Sequence, residues 1–174
     1  MLGRLRAFWL LAAMCWLAAA PVVAEEDDYQ PTREWQEGEV QFPAYPASEN
    51  LLPLYVSAAT ANKFFIDGVT LSVGADGVIR YVLVVETPQG GRNVSFEGMR
   101  CEARARRIYA SGRSDGSWSK ARKDEWVRIQ DAYANRQHAA LFLEYFCPFG
   151  NSVHSAAEAR DALLRVRSEE AGRV

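Results

Sequence analysis

The chain has 174 residues, of which 49% are hydrophobic and 24% charged, with a formal net charge of −2. A weakly acidic chain is not built for unaided nucleic-acid binding, and this length suits one domain with a proper core better than two. With two histidines and three cysteines, little material is left for a metal or redox centre legible in the sequence.

Arg4 and Arg6 precede an apolar run from Phe8 to Ala20, and Pro21, Val22, Val23 and Ala24 form a small-residue cleavage region. Residues 1–24 therefore read as a secretory signal cut after Ala24, which addresses the protein to the periplasm. The alternative is an uncleaved anchor, because residues 7–24 are an unbroken nonpolar run just long enough to reach across a bilayer. Alanine dominates the second half of that run, and Glu25, Glu26, Asp27 and Asp28 follow at once, which speaks for cleavage. Cys15 is a poor lipidation site, since it lies inside the apolar core behind Met14. Cleavage leaves 150 residues with 18 basic and 22 acidic side chains, a net charge of −4, and no transmembrane segment. It also leaves Cys101 and Cys147 as a pair in a compartment that permits disulfides, so a Cys101–Cys147 bridge is expected. Two buried free thiols are the alternative. A redox role is disfavoured, because no Cys-x-x-Cys is present to lower a thiol pKa.

Residues 25–49 are acidic, contain Pro31, Pro43 and Pro46, and show neither helical nor strand periodicity: an extended arm. Trp35, Phe42 and Tyr45 argue against a purely solvated tether, so the arm either packs on its own domain or docks on another envelope component. The domain proper spans residues 50–168. From Leu54 to Ile108 the pattern is that of strands. Val69, Leu71 and Val73 alternate with Thr70 and Ser72, and Ala75, Asp76 and Gly77 turn the chain tightly into a strand over 78–86. That strand is apolar at nearly every position, as a central strand covered on both faces should be. A turn at 87–91 leads to a strand over 93–101, a further strand is expected over 103–110, and the next turn covers 111–117.

After Trp118 the pattern becomes helical, with room for one short strand at 126–129. Asn135 is placed to cap a helix in which Ala139, Phe142, Leu143 and Phe146 share a face, ended by Pro148. Ser155 and Glu158 make a capping box for a last helix to about Ser168, and residues 169–174 read as a frayed tail. The expected fold is α+β: a single domain with an antiparallel sheet of about four to six strands and two C-terminal helices packed on one face. A Cys101–Cys147 bond would pin helix to sheet.

Gly112, Arg113, Ser114, Asp115 and Gly116 match the G-x-S-x-G pattern of a nucleophile elbow, but no helix follows, and Ser, Asp and Gly together make an ordinary hairpin turn. A hydrolase would need Ser114 to meet His138 or His154 in space. The same two histidines lack the spacing of a metal site, and Gly90-Gly91 lacks the Lys and helix of a phosphate loop, so neither metal nor cofactor is expected. Asn93, Val94 and Ser95 fit a glycosylation sequon but more simply open a strand. The most unusual local chemistry is basic. In a strand, Glu102, Arg104 and Arg106 would share one face and Cys101, Ala103 and Ala105 the other. Arg100, Arg104, Arg106 and Arg107 beside Tyr109 would then form a stripe fit for an anionic envelope ligand such as a phosphate, a glycan acid or a lipid head group. The competing reading is a solvated face paired to carboxylates, with the acidic arm as their source.

The segments 64–67, 71–74, 76–81 and 93–101, followed by Tyr109, Gly112, Trp118, Trp126 and the run Tyr145, Phe146, Cys147, Pro148, resemble the cryptic neisserial protein 1-like family. The resemblance extends from about Asn50 to Pro148. It implies an exported protein of a Gram-negative, mainly beta-proteobacterial, cell, with no established activity and no catalytic residue to carry over. The positions of Cys101 and Cys147 fit its pattern. The expected function is therefore that of a periplasmic accessory protein that binds an envelope protein or anionic ligand without turnover. The alternatives are an envelope hydrolase with a site assembled only in three dimensions, and a purely structural envelope component.

Overall fold

The computed structural model describes residues 34–130 and 136–171, with side chains to residue 165. The expected signal, the start of the arm, the Asn135 cap and the last three residues lie outside them. The molecule is α+β, built on an antiparallel sheet of eight strands rather than four to six. In chain order these are β1 (Leu51–Leu54), β2 (Lys63–Asp67), β3 (Ser72–Val73), β4 (Val78–Glu86), β5 (Arg92–Arg100), β6 (Ala105–Gly112), β7 (Trp118–Lys120) and β8 (Val127–Arg128). The main order is β1-β2-β4-β5-β6-β7, with β3 on β4 and β8 beside β7 on the outer edge of β6. Helix α1 (Arg136–Ala140) runs into a π-helical segment (Leu141–Phe146), and α2 (Ala156–Ala171) follows.

The long hairpins form where expected, for reasons of turn chemistry. Gly77 has φ 75°, which glycine adopts without strain, and the Asp76 carboxylate accepts from the Val78 N–H at 3.1 Å. The strand expected from Val69, however, begins only at Ser72. Asp67 accounts for this. Its carboxylate accepts from the Val69 N–H and the Thr70 hydroxyl, which folds residues 68–70 into a turn and leaves Val69 exposed. The expected strand over 103–110 likewise starts late, at Ala105, because residues 101–104 form a turn with Arg104 at φ 46°. Trp118–Lys120, expected to begin helical structure, is a strand paired to β6.

The sheet is covered on both sides. Ile79, Tyr81 and Leu83 of β4 belong to a core with Ile66, Met99, Leu141, Tyr145, Phe146, Ala159 and Leu163, which is the helical side. The alternate residues Val82 and Val84 join Phe96, Tyr109 and Ala110, with Val40 and Tyr45 of the arm packed on them. Near-continuous burial of β4 follows from this double cover. On the helical side the expected face of Ala139, Phe142, Leu143 and Phe146 is corrected: Leu143 is exposed, and Leu141 and Tyr145 are buried instead. The cause is the wider π turn, closed by the Cys147 N–H donating to the Phe142 carbonyl at 3.0 Å. The turn delivers Cys147 to Cys101, and the disulfide joins them with Cα atoms 5.5 Å apart. Ser155 caps α2, accepting from the Glu158 N–H at 3.1 Å, while the Glu158 carboxylate accepts from the His154 N–H. Among the described residues no helix is long and apolar enough to cross a membrane.

Candidate functional site

Two polar clusters lie in the covered faces of the sheet, one on each side. On the helical side Glu97, directly across from Tyr81 in the β4–β5 ladder, is 2% exposed. A buried carboxylate must be compensated, and here it is. Ser95 donates to Oε1 at 2.6 Å, Tyr81 donates to Oε2 at 3.1 Å, and His138 Nε2 of α1 lies 2.8 Å from Oε2. Burial alone would raise the Glu97 carboxyl. The neighbouring His138, the Ser95 hydroxyl and the Arg106 charge outweigh it and hold the group below its ordinary range. Burial, then the Glu97 charge, pushes the Tyr81 phenol well above its ordinary value, so it stays a donor. The cluster ties α1 to the centre of the sheet.

It also opens outward. His138 is buried, and its Nδ1 has no hydrogen-bond partner. The ring forms one wall of a cleft of about 120 Å³, completed by Arg106 of β6 and by Val127, Arg128, Ile129 and Gln130 around β8. Pairing of β6 with β8 places Arg106 opposite Val127 and Arg128 opposite Ala105, so Arg106 and Val127 share the face toward His138. With Nε2–H directed at an ionised Glu97, Nδ1 accepts a hydrogen bond in the neutral ring and donates one in the imidazolium. With Arg106 as a neighbouring positive charge, the chemistry suits a small anion.

On the other side, Glu37 of the arm is the hub. It pairs with Arg107, lies 3.8 Å from Arg80, and accepts from the Tyr109 hydroxyl and from Trp126 Nε1. Arg80 is held in turn by Asp76, which also accepts from the Gly38 N–H. Burial alone would raise the Asp76 carboxyl. The hydrogen bonds from Arg80, Gly38 and Val78 outweigh it and bring the group down to about 2. Trp35 donates from Nε1 to the Asp76 carbonyl at 2.9 Å and stacks edge-on against Trp126, while Trp118 Nε1 donates to the Pro43 carbonyl at 2.8 Å. The arm from Trp35 onward is thus laid on its own sheet.

The expected arginine stripe is taken apart by this geometry. Residues 101–104 are a turn, so Glu102 and Arg104 share no strand face with Arg106. Arg100 lies on the arm side, its guanidinium carbon 3.6 Å from the centre of the Trp35 ring, and Arg104 lies 5.3 Å from the Phe142 ring. Arg107 is paired with Glu37 and Asp124, and Tyr109 is buried beneath Glu37. Of the five residues only Arg106 reaches the His138 cleft. Ser114 sits in the exposed turn beyond Gly112, six residues of β6 or roughly 20 Å along the strand from Arg106. His154 is exposed before α2, so Ser114 meets neither histidine in a pocket. Among the described residues no group of three or more His, Cys, Asp and Glu side chains is placed to hold a metal ion.

Sequence reasoning passed over Glu97, Tyr81 and Ser95, and took His138 for an ordinary histidine. One signal was present. Ser95, Glu97, Met99 and Cys101 alternate along one strand, and a Cys101 bonded to a helix puts Glu97 on the helical side.

The chain matches the CNP1-like family over residues 30–165, most of its length and more than the span the sequence resemblance covered. It belongs to the CNP1-like family. No curated protein and no solved structure matches the chain. Within the CNP1-like match fall the arm from residue 30, both disulfide cysteines, the Glu97–His138 pair and the whole cleft.

Proposed function

We propose that this CNP1-like protein is an exported, periplasmic accessory component of the cell envelope that works by binding a small anionic group, without turnover. The observation that carries the ligand class is the buried Nδ1 of His138, which has no hydrogen-bond partner, on a residue that lines a cleft together with Arg106. A carboxylate or phosphate oxygen there would receive a charge-assisted hydrogen bond from Arg106. Address and disulfide agree, because the sequence of residues 1–24 reads as an export signal and the bridge suits an oxidising compartment.

The test is a titration with inorganic phosphate and with glucuronate, followed by NMR of the His138 ring and the Arg106 side chain. Saturable shifts at both groups, with the His138 response weakened about tenfold or more by Arg106→Gln, are the expected result. An unchanged unfolding midpoint of Arg106→Gln checks that the fold is kept. Absence of saturable shifts with either anion, or binding indifferent to Arg106→Gln, would overturn the reading in favour of a structural component.

A further inference from the structure

At the far edge of the sheet from this cleft, the connection between β1 and β2 lines, with the ends of the two strands, a groove of about 460 Å³. That volume falls within the range of small-molecule sites, roughly 300–1,000 Å³. Leu54, Tyr55, Val56, Phe64 and Phe65 make its walls, and Lys63 stands exposed at its margin. A second recess of about 220 Å³ shares Val56, Thr60, Asn62 and Phe64 with the first and ends on Arg136 and Gln137. The first groove is mostly apolar with one basic residue, Lys63, and the second is more polar. Arg136 is steadied there by donating to the Ser57 hydroxyl at 3.2 Å.

We infer that this groove binds a single-chain anionic amphiphile, its tail along the aromatic walls and its acid group toward Lys63. Apolar walls with one exposed ammonium at their margin match such a molecule in both parts. A peptide adding to the sheet edge is the competing occupant, because β1 ends the strand order. Pro53 speaks against it: in the middle of a four-residue edge strand it removes an N–H from the ladder a peptide would extend. An amphiphile needs no ladder. This site is separate from the His138 cleft, and neither depends on the other.

The test is calorimetric titration of the protein with laurate and with dodecanol, both below their aggregation limits. One laurate per chain is expected to bind saturably. Lys63→Glu should weaken laurate about tenfold and leave dodecanol unchanged. Ala58→Trp, placed at an exposed position lining the groove, should abolish binding of both with an unchanged unfolding midpoint. Should that variant unfold, Thr60→Trp replaces it. Arg106→Gln should have no effect on laurate. Uptake without saturation, binding that survives the tryptophan, or binding lost with Arg106→Gln would each overturn the proposal. The phosphate and glucuronate titrations at His138 are unaffected by any of these outcomes.

Discussion

Asp76 does more than turn a hairpin. Its carboxylate holds the Val78 N–H, the Gly38 N–H of the arm and the Arg80 guanidinium together, so one short side chain joins a turn, a strand and the arm. Its folded-state value of about 2 against an ordinary 3.8 makes this a pH statement. A depressed carboxylate stabilises the fold fully above its unfolded value and loses that contribution as pH falls through the folded one. Asp76 should therefore contribute roughly 2 kcal/mol at neutral pH, lost between about pH 4 and pH 2. Glu97, also lowered, acts in the same direction. Urea unfolding across that range should show a falling midpoint, and Asp76→Asn should start lower and fall less. An equally steep fall in the variant would assign the acid sensitivity elsewhere.

Among the elements, the arm is where local sequence said least. It has no periodicity, yet its aromatic residues finish the second face of the sheet: Phe42 against Phe96 at 6.1 Å and Tyr45 against Trp118 at 5.6 Å. Without it, Val82, Val84 and Phe96 would lose a cover that β-sheet faces of this kind require. Deleting residues 25–47 should cost at least about 3 kcal/mol, the burial of two large apolar side chains, and should expose a patch that binds hydrophobic dye and self-associates. Sedimentation and dye fluorescence would measure it. A monomeric, dye-silent truncation would mean that the arm covers nothing of consequence. Glu37 adds an ion-pair hub beneath this cover, and truncating the arm leaves Arg80 and Arg107 without that carboxylate.

For the molecule as a whole, the disulfide bears on stability, and export would link it to compartment. It spans 46 residues and joins the end of the π-helical segment to the turn after β5, holding the helical layer to the sheet. Loop-closure entropy makes such a bridge worth about 4 kcal/mol, a large share of the stability of a domain this size. Cells producing the full chain should yield a periplasmic form that begins at Glu25 with both thiols blocked. A version lacking residues 1–24 should stay in the cytosol, label at both Cys101 and Cys147 after unfolding, and be less stable by that amount. Fractionation, terminal sequencing and thiol labelling settle each part, and thiols that label in the periplasmic form would uncouple the bridge from export.

Much of this architecture was legible before folding was considered. The central hairpin, the pairing of Cys101 with Cys147 and the capped last helix each follow from interactions within a few residues or from a count of thiols. Local turn chemistry and helix capping act over short distances, and of the three cysteines only Cys101 and Cys147 lie outside the expected signal, which leaves one intramolecular pairing. What depended on the tertiary structure was the destination of charge. Five residues from Arg100 to Tyr109 read as one basic surface, but a turn at 101–104 and carboxylates supplied from Glu37 and Asp124 divided them, leaving Arg106 at the cleft. His138 became a site residue only because a distant strand placed Glu97 against it. Electrostatic partners are chosen across the whole fold, by which faces meet, and no spacing along the chain records that choice.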